Sequence, residues 1–196
     1  MAIPWIKSVR DTKTLTVFDG IGSGTWSNIF AFALGAFNNF AKSAGVKMVK
    51  SGDKDQANVV MSLGDGTVVY DYDGTSYQKS FSGTGLHGLT RLLSRDGVVE
   101  KTFVFLPARP QVTDFDNKGN AFDKMASQDV MKAIAVHELI HASGLENSEH
   151  GGDGIFYYPL AYQSGKLYVP ERGKNQALMP PIRPDARIVG KIKELW

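Results

Sequence analysis

The segment AVHELIHASGL, residues 135–145, combines residue types that can hold a metal ion and use it. On a helix, His137 and His141 lie one turn apart on the same face, so their imidazole nitrogens can point at one ion. Zinc suits such nitrogen ligands in a hydrolytic site, where three protein groups bind the metal and water takes the fourth position. Glu138 points to nearly the same side and can accept a proton from that water, whose pKa the metal lowers to about 7.

A catalytic zinc needs a third protein ligand, which the two histidines do not supply. Gly144 follows the predicted helix and can adopt a positive φ that other residues resist. Such a turn directs the chain back toward the metal. The third ligand is therefore expected among residues 145–154.

The stretch HELIHASGL resembles the metzincin clan of zinc endopeptidases, whose extended pattern is H-E-x-x-H-x-x-G-x-x-H. Asn147 stands where the clan has its third histidine, and asparagine is a poor zinc ligand. The match therefore covers the first two ligands, the glutamate and the glycine. These four positions are His137, Glu138, His141 and Gly144.

His150 is the expected replacement for the third histidine, which requires a short insertion in the turn after the helix. We therefore predict a zinc site built from His137, His141 and His150, with Glu138 as the general base. Three nearby carboxylates remain alternatives for the third ligand, namely Glu146, Glu149 and Asp153.

The C-terminal stretch ALMPPIRPDARIVGKIKELW extends the resemblance. Metzincins carry a methionine in a tight turn beneath the zinc, followed by a helix whose start often reads D-I-x-G-I-x-x-L-Y. Met179 and then Asp185 match this order. Pro181 stands where some of the families have a tyrosine that serves as a zinc ligand or oxyanion donor. That tyrosine is absent or supplied elsewhere, the candidates being Tyr157, Tyr158, Tyr162 and Tyr168.

The resemblance implies an endopeptidase that hydrolyses peptide bonds with Zn²⁺ as its cofactor. It also implies an α+β zincin fold with a twisted mixed sheet, two main helices and an irregular C-terminal subdomain that ends in a helix. We expect residues 1–196 to form a single metalloprotease domain, divided into an N-terminal α/β subdomain (1–144) and a C-terminal subdomain (145–196). Because the chain has no cysteine, latency through a cysteine switch is excluded.

Two other functions compete with this one. The first is a binding or structural protein in which zinc only stabilises the fold. Glu138 argues against it, because a structural site is closed by a fourth protein ligand and needs no base. Asp153 or Glu149 could be that fourth ligand, so this alternative stays open. The second is another lineage of zinc hydrolases, with a glutamate ligand on a later helix, and no helix in the right interval offers one.

The hydrophobic pattern predicts the elements that position the site. Residues 26–45 have apolar side chains three and four apart, typical of an amphipathic helix with Ser27 as its N-cap and Gly45 at its end. A second helix, which carries the motif, is predicted over 127–142, and a short third helix within 184–196. Four strands are predicted, at residues 14–20, 46–51, 57–64 and 101–107.

Turns and loops complete the predicted layout. The Asp-Gly pairs at 65–66 and 73–74 predict hairpin turns, and the Asn-, Asp- and Gly-rich residues 113–123 predict a loop. We expect a protein or peptide substrate to bind in extended form along an exposed edge strand within 64–82. His87 lies in a glycine-rich loop far from the motif in the sequence, and we expect it to have no catalytic role.

Composition limits the other partners. The formal net charge is +2, and lysine and arginine are scattered singly, so no basic patch for nucleic acid is present. No apolar run is long enough for a secretion signal or a membrane span. We expect a monomer that binds neither nucleic acid nor membranes, and the cytoplasm, leaderless export and a phage particle all remain open as its location.

Overall fold

The computed structural model describes residues 2–22, 24, 26–146, 161–163, 166–168 and 186–196. The helices within these ranges are α1 (Lys7–Thr12), α2 (Ser27–Ala41), α3 (Gln128–Ala142) and α4 (Ala186–Leu195). The strands are β1 (Thr14–Gly20), β2 (Lys47–Ser51), β3 (Val59–Gly64), β4 (Gly66–Tyr72), β5 (Thr75–Phe81), β6 (Leu89–Arg95), β7 (Val98–Pro107), β8 (Gln111–Phe115), β9 (Ala121–Met125), β10 (Ala161–Gln163) and β11 (Lys166–Tyr168).

The central sheet has five strands in the order β2-β1-β3-β7-β6. Its first four strands are parallel, and β6 runs antiparallel to β7 at the edge. Helices α2 and α3 pack against each other, α2 also against β2, and α3 also against β6 and β7. The predicted α+β class with a mixed sheet is therefore confirmed.

Each face of this sheet has its own apolar cluster, because side chains alternate along a strand. Val59, Met61 and Val104 point into the main core with the helices. Their neighbours Val60 and Phe103 point to the opposite face, where the β4-β5 hairpin covers them. Residues buried on both faces explain why β3 and β7 read as continuous apolar runs in the sequence.

The connections between strands differ in part from the prediction. The Asp-Gly pair at 73–74 forms the predicted hairpin between β4 and β5, with both residues at positive φ. The pair at 65–66 makes no hairpin, since β3 and β4 belong to different sheets. Residues 113–123, predicted as a loop, contain the turn of a β8-β9 hairpin. Asp116 closes that turn, because its carboxylate accepts hydrogen bonds from the backbone N–H groups of Lys118 and Asn120.

The predicted helix over 26–45 is confirmed, but its start differs. Ser27 is the first helical residue, and Trp26 occupies the N-cap position without a side-chain cap hydrogen bond. Trp26 is buried, so core packing sets the start of the helix in place of a polar cap. After a 3-10 turn at Lys42–Ala44, Gly45 ends the segment at φ 75°, as predicted.

Residues from both ends of the chain hold the C-terminal end of α3. The Trp5 indole N–H donates to the carbonyl of Ala142 at 3.0 Å, and the Trp196 indole N–H donates to that of Ser143 at 3.0 Å. The backbone N–H of Ile3 donates to the carbonyl of Gly144 at 2.9 Å. Carbonyls that the end of a helix leaves without intrahelical partners are thereby satisfied.

The predicted C-terminal helix is confirmed as α4, with Ile188 and Ile192 buried against the main core. Within the described ranges, each helix is too short or too polar to cross a membrane.

Candidate metal centre

Helix α3 carries the HExxH residues and begins and ends as the sequence predicts. Ser127 is its N-cap, and the Ser127 hydroxyl accepts a hydrogen bond from the backbone N–H of Val130 at 3.4 Å. After the last helical turn, Gly144 adopts φ 110°. A Cβ at this position would lie 2.4 Å from the carbonyl oxygen of Ile3, so both the backbone angle and the close contact require glycine.

The two motif histidines point at a common position. The Nε2 atoms of His137 and His141 are 3.0 Å apart, and the two rings meet edge to face at an interplanar angle of 67°. His141 is buried, whereas His137 is partly exposed. The spacing of four residues on α3 therefore brings two imidazole nitrogens together, as predicted.

The turn after α3 sets the tautomer of His141. Its Nδ1 lies 2.7 Å from the carbonyl oxygen of Leu145. A carbonyl can only accept a hydrogen bond, so Nδ1 carries the proton, and Nε2 of the neutral ring keeps its lone pair. A backbone carbonyl that orients an imidazole in this way is the usual partner of a histidine that binds a metal. Gly144 makes this contact possible by turning the chain between His141 and Leu145.

The two histidines fit zinc as a pair of ligands. Two nitrogen ligands of a tetrahedral zinc, each about 2.0–2.1 Å from the metal, lie roughly 3.3 Å apart. The observed 3.0 Å between the Nε2 atoms differs from this by a few tenths of an ångström. The described part of the chain contains no group of three His, Asp or Glu side chains that could hold a metal together. The predicted third ligand His150 lies outside the described residues, whereas the alternative Glu146 lies within them.

Glu138 is buried beside the two histidines, with only 4% of its surface exposed. Its Oε2 accepts a hydrogen bond from the Thr90 hydroxyl at 2.6 Å, and the carboxylate also accepts one from the backbone N–H of Gly88. Burial raises the pKa of the Glu138 carboxyl to about 7, although these two hydrogen bonds act to lower it. A carboxyl with a pKa near neutrality is suited to proton transfer.

An open cleft of about 620 Å³ is lined by residues of the helix and of strand β6. Residues 87–92 form one wall, and His137, Glu138, His141, Leu145 and Glu146 lie on the other. His87, which is remote from the motif in the sequence, therefore lines the same cleft. His87 does lie in a loop, but this loop leads into β6 and so runs along the cleft.

The strand beside the motif is β6, outside the 64–82 region where a substrate strand was predicted. Residues 66–81 form the separate β4-β5 hairpin, which covers the face of the sheet opposite the helices. By contrast, β6 is the terminal strand of the central sheet and lines the cleft. The Asp-Gly pair at 73–74 indicates this hairpin correctly, but it does not indicate which face of the sheet the hairpin covers.

Several predicted site residues lie outside the described residues. This applies to Asn147, Glu149, His150, Asp153, Met179, Pro181, Tyr157 and Tyr158. Tyr162 and Tyr168 lie in β10 and β11, whose backbones are described. Glu146, one of the alternatives for the third ligand, is described and lies on the wall of the cleft.

Gly88 and Thr90 contact Glu138 and were not singled out from the sequence. Neither residue type is a metal ligand or a base here, and the contact to Glu138 spans 48 residues of sequence in the case of Thr90. The glycines at 85 and 88, followed by the apolar pair at 92–93, are the only local sequence signal in this segment. This signal indicates a turn followed by a strand, but it does not predict which side chain the strand will contact.

No protein-family model matches the chain, and the curated proteins contain no match to it either. The metzincin resemblance therefore depends on the residues of the motif and of the C-terminal stretch themselves.

Proposed function

We propose that this protein is a zinc-dependent endopeptidase. The observation that carries the proposal is the pair of Nε2 atoms 3.0 Å apart on α3, with the buried carboxylate of Glu138 beside them in an open cleft. Two converging nitrogens, an adjacent base and room for a substrate are the elements of a hydrolytic metal site.

His137, His141 and His150 hold the zinc in this proposal. When bound, zinc polarises the carbonyl of the scissile peptide and lowers the pKa of water. Glu138 accepts the proton of the attacking water and then passes it to the departing amine. The Leu145 carbonyl keeps the Nε2 lone pair of His141 directed toward the metal position.

The substrate lies extended along β6 in this proposal. Among the described strands, β6 is the last of the sheet, so one side of its backbone can pair with an added strand. A peptide bound there runs past His137 and Glu138, because β6 and the last residues of the loop before it line the same cleft as these two residues. The strand proposed here differs from the 64–82 region predicted from the sequence.

The order of elements also supports a zincin-like fold of the metzincin type. The resemblance implies a strand, a helix, further strands, an edge strand and then the active-site helix. The described chain has β1, α2, the further strands β2 to β5, the edge strand β6 and the motif helix α3 in that sequence order, with β7, β8 and β9 between the last two. We propose the zincin fold on this basis.

The test compares wild-type protein with Glu138→Gln, after purification with zinc and incubation with unfolded proteins and a peptide library. We expect one zinc per chain in both forms, and cleavage that falls by about 10²–10⁴-fold in the variant. Asp129→Asn is the matched control, because it removes one exposed carboxylate from the first turn of the same helix. It should retain full activity.

Stoichiometric zinc without cleavage of any substrate would favour the purely structural zinc, and absence of zinc binding would contradict both. The third ligand is tested by replacing His150 and Asn147 separately with alanine and measuring the zinc content. We expect loss of zinc only with His150→Ala. Retention of zinc in that variant would leave Glu146, Glu149 and Asp153 as the candidates, to be replaced in the same way.

A further inference from the structure

At Gly88, in the loop before β6, the backbone approaches Glu138 more closely than a residue with a side chain would allow. A Cβ at Gly88 would lie 2.4 Å from Cγ, 2.6 Å from Cδ and 2.8 Å from Oε1 of Glu138. The φ of Gly88 is not in the left-handed region, so the backbone itself would accept alanine. The glycine is therefore required by the side chain of Glu138 and not by the turn.

This approach delivers two donors to one carboxylate. The backbone N–H of Gly88 donates to Glu138, and the Thr90 hydroxyl donates to its Oε2 at 2.6 Å. The same hydroxyl lies 3.2 Å from the backbone carbonyl oxygen of Glu138. Both donors belong to one short segment of the cleft wall opposite α3, so they constrain the plane of the carboxylate from a single direction.

We propose that Gly88 and Thr90 are positioning residues that fix the carboxylate of Glu138 for proton transfer. This inference deepens the proposed function and depends on it for its catalytic part. A base acts only when its oxygen is within hydrogen-bond reach of the proton it takes, and an error of about 1 Å can lower the rate by about 100-fold. A buried carboxylate held by two donors keeps that position without help from the substrate.

The catalytic part is tested with Thr90→Val, which keeps the shape of the side chain and removes the hydroxyl. We expect kcat to fall by about 10- to 100-fold, with KM within about twofold of wild type and one zinc per chain. Thr90→Ser restores the hydroxyl and should recover kcat to within about threefold of wild type. A residue that only supports the fold would not give this pattern of a selective loss in kcat and rescue by serine.

The placement of Glu138 is tested independently of activity, by thermal unfolding of the metal-free protein in a double-mutant cycle. Gly88→Ala alone should lower Tm by at least about 4 °C, because its methyl group collides with Glu138. In a Glu138→Ala background the colliding atoms are gone, and Gly88→Ala should lower Tm by less than about 1 °C. Gly85→Ala, in the same loop and with only ordinary contacts at 3.6 Å, is the control and should have a small effect in both backgrounds.

Two results would overturn the proposal. The first is an equal loss of Tm from Gly88→Ala in both backgrounds, which would mean that another neighbour requires the glycine. The second is a Thr90→Val variant with the kcat of wild type in a protein that does cleave peptides. If the wild type cleaves nothing, the endopeptidase proposal fails, and the thermal cycle still decides whether Gly88 and Glu138 are coupled.

Discussion

The helices α2 and α3 are both 15 residues long and pack side by side under the same sheet, yet they differ in what they bury. Among the described side chains of α2, the buried ones are all apolar, whereas α3 also buries Glu138 and His141. Burying a polar or charged group lowers stability unless the group finds partners. This loss of stability is expected where a helix also supplies functional groups, and that is the role proposed here for Glu138 and His141 on α3.

The polar contacts of the two helices differ in the same way. On α2, the Asn38 side chain bonds to both the N–H and the carbonyl of Met48, which joins the helix to strand β2. On α3, Glu138 has its donors on one side and lies on the wall of a cleft. Asn38 thus uses its amide for an internal connection, while the polar groups of α3 are held by the protein and presented to a space that a ligand can enter.

The largest expected effect on stability concerns α2. Phe37 is fully buried and packs edge to face on Phe40, with ring centroids 5.0 Å apart. Phe37→Ala should lower the free energy of unfolding by about 3–5 kcal/mol, measured by urea denaturation. The zinc content of the folded fraction should be unchanged. A loss of zinc in folded protein would show that α2 also shapes the metal site.

The next effect concerns α3 and appears in metal binding. His141→Ala should weaken zinc binding by more than about 100-fold, since loss of a group that only orients a ligand already costs about 10- to 100-fold. His87→Ala is the control from the same cleft, and its zinc affinity should stay within about threefold of wild type. Competition with a chromogenic chelator measures both. Equal losses in the two variants would mean that His87 is also a ligand.

A third expected effect is a pH dependence specific to α3. Because burial raises the pKa of Glu138 from 4.5 to about 7, the folded protein binds this proton more tightly than the unfolded chain does. Its contribution to stability is therefore full at acid pH and is lost as the pH rises from about 4.5 to about 7. Urea denaturation of the metal-free protein at pH 5 and pH 8 should show a loss of roughly 2–3 kcal/mol relative to Glu138→Gln. Parallel pH profiles for the two proteins would contradict this.

The smallest expected effect concerns the starts of the helices. Ser127 caps α3, whereas α2 begins after Trp26 without a side-chain cap. Ser127→Ala should lower the free energy of unfolding by about 0.5–1 kcal/mol. Asn28→Ala, at an exposed position in the first turn of α2, should change it by less than about 0.5 kcal/mol. A larger effect from Asn28 than from Ser127 would reverse this ranking.

The sequence predicts α3 well because its signals are local. Ser127, the motif and Gly144 lie within one short stretch, and each acts on the backbone next to it. The convergence of His137 and His141 follows from helix geometry alone, so it needs no knowledge of the rest of the fold. These features of the candidate site could be inferred before any tertiary contact was known.

Strand β6 could not be inferred in this way. Its residues LTRLLSR do not alternate between apolar and polar, because as an edge strand it is only partly buried along its length. Gly88 and Thr90 matter because they contact Glu138, and this contact joins residues that are remote in the sequence. The parallel order of β1, β2, β3 and β7 likewise depends on pairing between distant segments, which local patterns do not specify.

The attachment of α3 to Trp5 and Trp196 bears on how a newly made chain matures. Synthesis proceeds from the N-terminus, so the hydrogen bond from Trp5 to Ala142 can form only after a further 137 residues have been made. The bond between Ser143 and Trp196 requires another 53 residues after Ser143. On the ribosome, the turn that sets His141 is thus left without its last donors until Trp196 has emerged. Emergence of Trp196, and not the synthesis of the motif itself, is the event that completes this end of the helix.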